Sequence, residues 1–262
     1  MTTLPIGIQT RSLRLPLRRA LAVAAELGAD GVEIDVRNEL RIADFSQTAL
    51  REFRRLLEEQ RLKVLAVSFP TRGGMDEPDG LERRLLATRE ALAFAYKIGA
   101  PILVGRVGEV PDAESLADAT TLLDSLRVLG ATGEHVGTRF AFASGADPVD
   151  QGALIDSVGE GVVGAALHPP LLLGSNHEVA DAAAELGSRV LHVHAIDAVR
   201  EASASPGGVS EVPLGRGEAD FPAILATLDE RGYRGAITVE RNSSSATEDI
   251  TNAIAYLREL GN

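Results

Sequence analysis

Cysteine is absent from this chain of 262 residues. Its absence excludes disulfide staples and thiolate chemistry, and leaves His, Asp and Glu as the side chains able to hold a transition metal. Positive charge is also scarce: 26 Lys and Arg stand against 38 Asp and Glu, a formal net charge of -12 at pH 7. Such a balance offers no footprint for a nucleic-acid backbone or an anionic bilayer, so neither nucleic acid nor membrane is an expected partner. No apolar run approaches the roughly 20 residues of a membrane span. The opening MTTLPIGIQTRSL lacks a basic-then-apolar leader pattern, and no low-complexity linker or long charge run divides the chain. The expectation from these absences is a cytoplasmic protein that takes a small neutral or locally neutralised ligand.

What is present is an alternation of short β-rich runs and longer amphipathic stretches. With 45% hydrophobic residues the chain has enough apolar surface for a large core, and its length suits one α/β barrel spanning residues 1 to 262. Eight runs read as strands: IGIQ from 6, GVEIDV from 31, KVLAVSF from 63, PILVGRV from 101, TRFAFAS from 138, GVVGAAL from 161, RVLHVHA from 189 and GAITVE from 235. Helix signals separate them. Pro16 and Gly28 bracket the first, Ser46 caps the second, and Gly99 stops the third. The fourth is expected from Asp112 to Leu129, the fifth after Asp147 and Pro148, the sixth from Ser175 or Asn176 to Gly187, and the seventh from Asp220 to Gly232. Ser245 and Glu248 form a capping-box pattern for the last. Near-continuous apolar strands alternating with helices imply a closed parallel sheet, a single (β/α)8 TIM barrel of the α/β class.

Chemistry in such a barrel collects at the C-terminal ends of the strands. His192 and His194 lie two apart on the seventh strand and therefore share a face, suited to a metal or to sugar hydroxyls, with the deeper His192 equally suited to the core. Glu240 ends the eighth strand after apolar neighbours, where a carboxylate must be paired or coordinated; a salt bridge to Arg241, Arg216 or Arg200 is the plainer alternative. Glu33 shares a face with Asp35 and is read as a mouth carboxylate or a structural partner of an Arg. His168, followed by Pro169 and Pro170, belongs at the rim. Arg200 and Arg216, on the segment from 198 to 218, are candidates for contacting a phosphate, carboxylate or hydroxyl. That segment exceeds the usual βα connection and is either a functional loop over the mouth or a mobile insertion.

The combination GADGVEIDV, HVHAIDAVR, VPLGRGEADFPAIL and YRGAITVER resembles the sugar phosphate isomerase/epimerase family of xylose-isomerase-like TIM barrels, across essentially the whole chain. The resemblance implies a divalent metal held by a Glu ending the fifth strand, an Asp ending the sixth, a His ending the seventh and a Glu ending the eighth, the two Glu also moving the substrate proton. Here the last two are His194 and Glu240, and Arg200 matches a substrate-binding Arg. The first two fall on Ala143 and His168, and a substrate His falls on Leu171. The implied metal set is therefore His168, His194 and Glu240, suited to Zn, Fe, Co or Mn, with Glu240 catalytic and Arg200, His192, Glu33 and Arg216 toward a sugar or polyol. A ligand- or partner-binding pseudoenzyme on the same barrel is the competing reading, and homo-oligomerisation stays open.

Overall fold

The structure is a computed structural model that describes residues 4–40, 42–159, 161–201, 208–242 and 246–261. Its strands are β1 Ile6–Gln9, β2 Gly31–Asp35, β3 Lys63–Phe69, β4 Ile102–Gly105, β5 Arg139–Phe142, β6 Val163–Leu167, β7 Val190–Ala195, β8 Asp197–Arg200, β9 Val209–Val212 and β10 Ile237–Val239. All but β8 and β9 close into one parallel barrel in the order β1-β10-β7-β6-β5-β4-β3-β2. The eight runs read as strands are the eight barrel strands, and β10 is the eighth of these. The helices are α1 Leu17–Glu26, α2 Gln47–Glu59, α3 Leu81–Ile98, α4 Thr120–Val136, α5 Pro148–Val158, α6 Pro169–Gly174, α7 Val179–Leu186, α8 Phe221–Glu230 and α9 Ala246–Leu260.

Local chemistry accounts for most helix ends. The Ser46 hydroxyl accepts from the Ala49 N–H at 3.2 Å and opens α2, which buries Leu50, Phe53 and Leu57 on one face. Asp147 caps α5 by accepting from the Val149 N–H at 2.8 Å, with Pro148 in the first turn. Gly99, at φ 85°, ends α3 in the left-handed conformation.

Two helices depart from the sequence reading. The fourth starts at Thr120, not at Asp112, because Asp112 turns its carboxylate onto the Ser115 N–H at 2.8 Å and so stabilises a turn instead. The sixth is split in two. Pro169 and Pro170 open α6 directly after His168, Asn176 takes a left-handed φ of 63°, and α7 follows. Prolines fit a first helical turn and Asn tolerates the left-handed break, so the pair of short helices is locally consistent. The capping box at Ser245 lies outside the described residues.

The main core fills the space between barrel and helices. A smaller cluster inside the barrel comprises Ala66, Ile102, Val104, Ala141, Ala166 and Leu191. Half of its side chains are alanine, and Leu65 and Leu191 fill the space beside the glycines: a Cβ on Gly31 would sit 2.7 Å from the Leu65 side chain, and one on Gly164 2.4 Å from that of Leu191. This apolar layer carries the polar residues of the site above it.

The segment after β7 is not an open loop. Ala198 to Arg200 pair antiparallel with Val209 to Glu211 in the β8–β9 hairpin, while residues 202–207 lie outside the described residues. Beyond the hairpin, the buried carboxylate of Asp197 accepts from the backbone N–H groups of Ala198, Gly215, Gly217 and Ala219 at 2.8 to 3.1 Å. Gly217 therefore serves close approach to Asp197, while Gly215 takes a left-handed φ of 80°. A Cβ at Gly217 would lie 2.2 Å from the Asp197 carboxylate.

Candidate active site

Strand register stacks two polar levels at the C-terminal end of the barrel. β1 aligns Gln9 with Glu33 on β2, and β10 aligns Thr238 with His194 on β7. Glu33 and His192 are fully buried; Glu33 Oε2 accepts from Thr238 Oγ1 at 2.8 Å and lies 3.1 Å from both His192 Nε2 and His194 Nε2, and His192 Nε2 also lies 2.8 Å from Thr238 Oγ1. Gln9 reaches its other oxygen at 3.4 Å. Glu33 and His192, both expected toward a substrate, are thus buried beneath the upper level and bonded to one another's neighbours in this structure. A bare carboxylate buried this deeply costs several kcal/mol, and the ring of donors is what makes it tolerable.

The upper level opens onto the mouth. Glu240 Oε2 lies 3.6 Å from His168 Nε2 and 3.9 Å from His194 Nδ1, with 13% of its side chain exposed. Asn242 donates to Glu240 Oε1 at 3.3 Å. The two imidazole gaps are too long for good hydrogen bonds. His194 stands between the carboxylates: its Nε2 faces Glu33, and its buried Nδ1, like those of His168 and His192, has no hydrogen-bond partner among the described residues. The His168 and His194 rings meet edge to face at 5.3 Å.

The electrostatics follow from this stacking. Burial alone would suppress the His194 imidazolium, but the charges of Glu33 and Glu240 outweigh it and raise the pKa to about 9. Burial favours protonated Glu33, yet His194 and the hydrogen bonds from both imidazoles hold its carboxyl well below the ordinary value. Glu240 is also lowered, the pull of His168 and His194 exceeding the effect of burial. For His192 burial wins over Glu33, and its pKa falls. The centre therefore concentrates negative charge around one ring that carries either a proton or a cation.

Among the described residues two groups bring three donor atoms within 4.8 Å of one another: Glu33, His192 and His194, and His168, His194 and Glu240. In the first, the nearest donor atoms are already committed to mutual hydrogen bonds. The second includes the His194 Nδ1 that has no partner among the described residues, and its Glu240 lines the mouth cavity, so two nitrogens and a carboxylate there fit a borderline transition metal. Glu33 would then hold the far nitrogen of His194, as carboxylates do behind metal-bound imidazoles.

Arg200 does not reach into the mouth. It donates to Glu218 at 2.6 Å, Glu178 at 2.8 Å and the carbonyls of Leu173 and His177, so its guanidinium clasps α6 and α7 to the loop after β9. Arg216 is exposed on that same loop and does not line the mouth cavity. Leu171, on α6, is 42% exposed, and Ala143 lines the mouth. The sequence reading overlooked Arg11, Arg14, Arg106 and Asn242, which line the mouth beside Glu240 in a cavity of about 550 Å³. Their shared signal was position, each lying within a few residues of a strand's C-terminal end.

A closed parallel barrel with its polar cluster at the C-terminal mouth defines a TIM-barrel protein built around a mouth site. The chain belongs to the xylose isomerase-like TIM barrel family, whose profile matches residues 21–260. It resembles a xylose isomerase domain protein from Planctomyces limnophilus at TM-score 0.85 and 23% identity, covering 98% of this chain and 97% of that one. A xylose isomerase-like TIM barrel protein from Mycobacterium smegmatis, solved in complex with magnesium, superposes at TM-score 0.74 and 20% identity over 93% of this chain and 87% of that one. The D-allulose 3-epimerase of Methylomonas sp., in complex with D-allulose, gives TM-score 0.74 at 18% identity over 98% and 97%. No curated protein sequence matches the chain. Among the described residues no helix is long and apolar enough to cross a membrane.

Proposed function

We propose that this chain is a sugar isomerase/epimerase-like enzyme acting on a sugar or polyol derivative, with a divalent-metal site formed by His168, His194 and Glu240. The observation that carries the reading is the convergence of these donors at the mouth, with a buried His194 Nδ1 that has no hydrogen-bond partner among the described residues and faces Glu240 across 3.9 Å. The sugar epimerases among its structural neighbours support the substrate class. A bound metal would supply polarisation of the substrate oxygens. His194 is oriented for it by Glu33, and Glu240, kept ionised at neutral pH, is the base within the mouth.

Ala143 bears on the reaction. Epimerisation through a planar intermediate takes a base on each face of the carbon, and the second base expected by resemblance is a methyl group here. A single carboxylate suffices for aldose–ketose isomerisation: Glu240 removes the proton from C2, its carboxyl proton exchanges with solvent, and it delivers a proton to C1 on the same face, while O1 gains a proton and O2 loses one through solvent. Isomerisation is therefore the reaction the residues favour. Ligand binding without turnover is the second reading, favoured by Leu171 and by the commitment of Arg200 to its clasp.

The test is proton exchange. Protein loaded separately with Zn, Co, Mn or Mg is incubated in D2O with a panel of aldoses, ketoses and their phosphates and carboxylates. Deuterium entering at C1 or C2, read by NMR and abolished in Glu240→Gln, supports the enzyme. Ligand binding with no exchange under any metal supports the second reading.

A further inference from the structure

The mouth has a wall that the histidines do not use. Arg11 and Arg14 lie in and just after the turn that follows β1, Arg106 directly follows β4, and all three line the cavity that Glu240 and Ala143 also border. Two are fixed in place. Arg11 donates to the buried carboxylate of Asp35 at 2.7 Å, and Asp35 is itself held by Arg37 and Asn38. Arg14 donates to the Asn242 carbonyl, while Ser12 accepts from the Arg241 N–H at 2.9 Å, tying the β1 turn to the end of β10. The Arg106 side chain makes no hydrogen bond or ion pair with any described residue.

Charge is distributed here against the trend of the molecule. In a chain of net charge -12, this cavity sets three guanidinium groups against two carboxylates, Asp35 and Glu240. Ala143 contributes to that balance, since a Glu at its position would cancel the excess. Guanidinium groups on a concave wall match the paired oxygens of phosphate and carboxylate, and Arg106, exposed and with no ion-pair partner among the described residues, is free to meet one.

We infer that this wall is an anion subsite, and that the molecule handled at His168, His194 and Glu240 carries a phosphate or carboxylate group remote from its reacting carbons. The inference rests on the proposed function for the identity of the reacting end. The same change at Ala143 that removes a second base thereby opens the mouth to a charged substrate.

The test is calorimetric titration of inorganic phosphate into the chelator-treated full chain, with metal removed so that phosphate cannot bind to it. Saturable binding is expected, weakened about tenfold or more by Arg106→Gln and less by Arg106→Lys, since a charge-assisted hydrogen bond is lost in one and a point charge kept in the other. Ala143→Glu is expected to weaken it as well, which keeps the test independent of any single arginine variant. Competition by D-ribulose 5-phosphate, D-ribonate and D-ribulose separates the sources: the phosphate or the carboxylate displaces inorganic phosphate, and the neutral ketose does not. Absence of phosphate binding, or affinity unchanged in both Arg106→Gln and Ala143→Glu, overturns the subsite. Failure of the proposed function shows differently, as absent deuterium exchange with arginine-dependent phosphate binding intact.

Discussion

Glu33 and His194 form a buried pair whose consequences are measurable without substrate. The His194 pKa is raised to about 9, so in metal-free protein this group contributes stability that is fully present below its unfolded value of about 6.5 and is lost as pH rises through about 9. Glu33 is depressed, so its contribution is present above its unfolded value and is lost as pH falls toward its folded one. The expected urea midpoint of the metal-free protein therefore declines on both sides of a plateau between about pH 4.5 and 6.5. Glu33→Gln should lower stability by about 1–3 kcal/mol and move the alkaline decline to lower pH, because a neutral amide no longer holds the imidazolium. An unchanged alkaline limb in that variant would show that His194 is held by something else.

The metal set can be altered at the same scale. Ala143→Glu combined with His168→Asp restores two hard oxygen donors, and Mn or Mg affinity should rise by about tenfold or more. Calorimetry on parent and double mutant decides this. Tight Mn binding by the parent with no gain in the mutant would place the ion among other residues.

At the scale of elements, the loop after β9 depends on one carboxylate. Asp197 satisfies the N–H groups of Gly215, Gly217 and Ala219 in addition to that of Ala198, and Asp197→Ala leaves them without it. The expected loss is more than about 2 kcal/mol, read as a shift in urea midpoint with little change in slope. Hydrogen exchange of those three amides should accelerate ahead of the barrel strands. Were exchange and stability unaffected, the loop would owe its conformation to the Arg200 clasp alone. The hairpin and this carboxylate also bear on the segment read as a functional loop or a mobile insertion: the described parts of 198 to 218 are pinned at several points.

For the whole molecule, the metal reading has a thermodynamic signature. A cation that binds the folded chain through groups from β6, β7 and β10 stabilises it by linkage, by about 2.7 kcal/mol at a hundredfold excess over the dissociation constant. Chelator-treated protein should therefore unfold at a lower temperature than protein with Zn or Co, with a smaller gain from Mg. Equal melting temperatures with and without each metal would count against a metal centre.

Periodicity and end signals in the sequence determined the eight strands, because a strand buried on both faces must read as an apolar run and a turn must carry residues that tolerate it. They also placed His168, His194 and Glu240 at strand ends. The division of α6 from α7 was less legible, since tandem prolines both end a strand and open a helix. Which imidazole meets which carboxylate was decided by register: Glu33 and His192 are 159 residues apart in sequence and 3.1 Å apart in space. Arg200 looked like a ligand contact in the sequence because its neighbours Glu178 and Glu218 are distant in the chain. Only closure of the barrel turned it into a clasp and brought Arg11, Arg14 and Arg106, unremarkable one by one, onto a single wall.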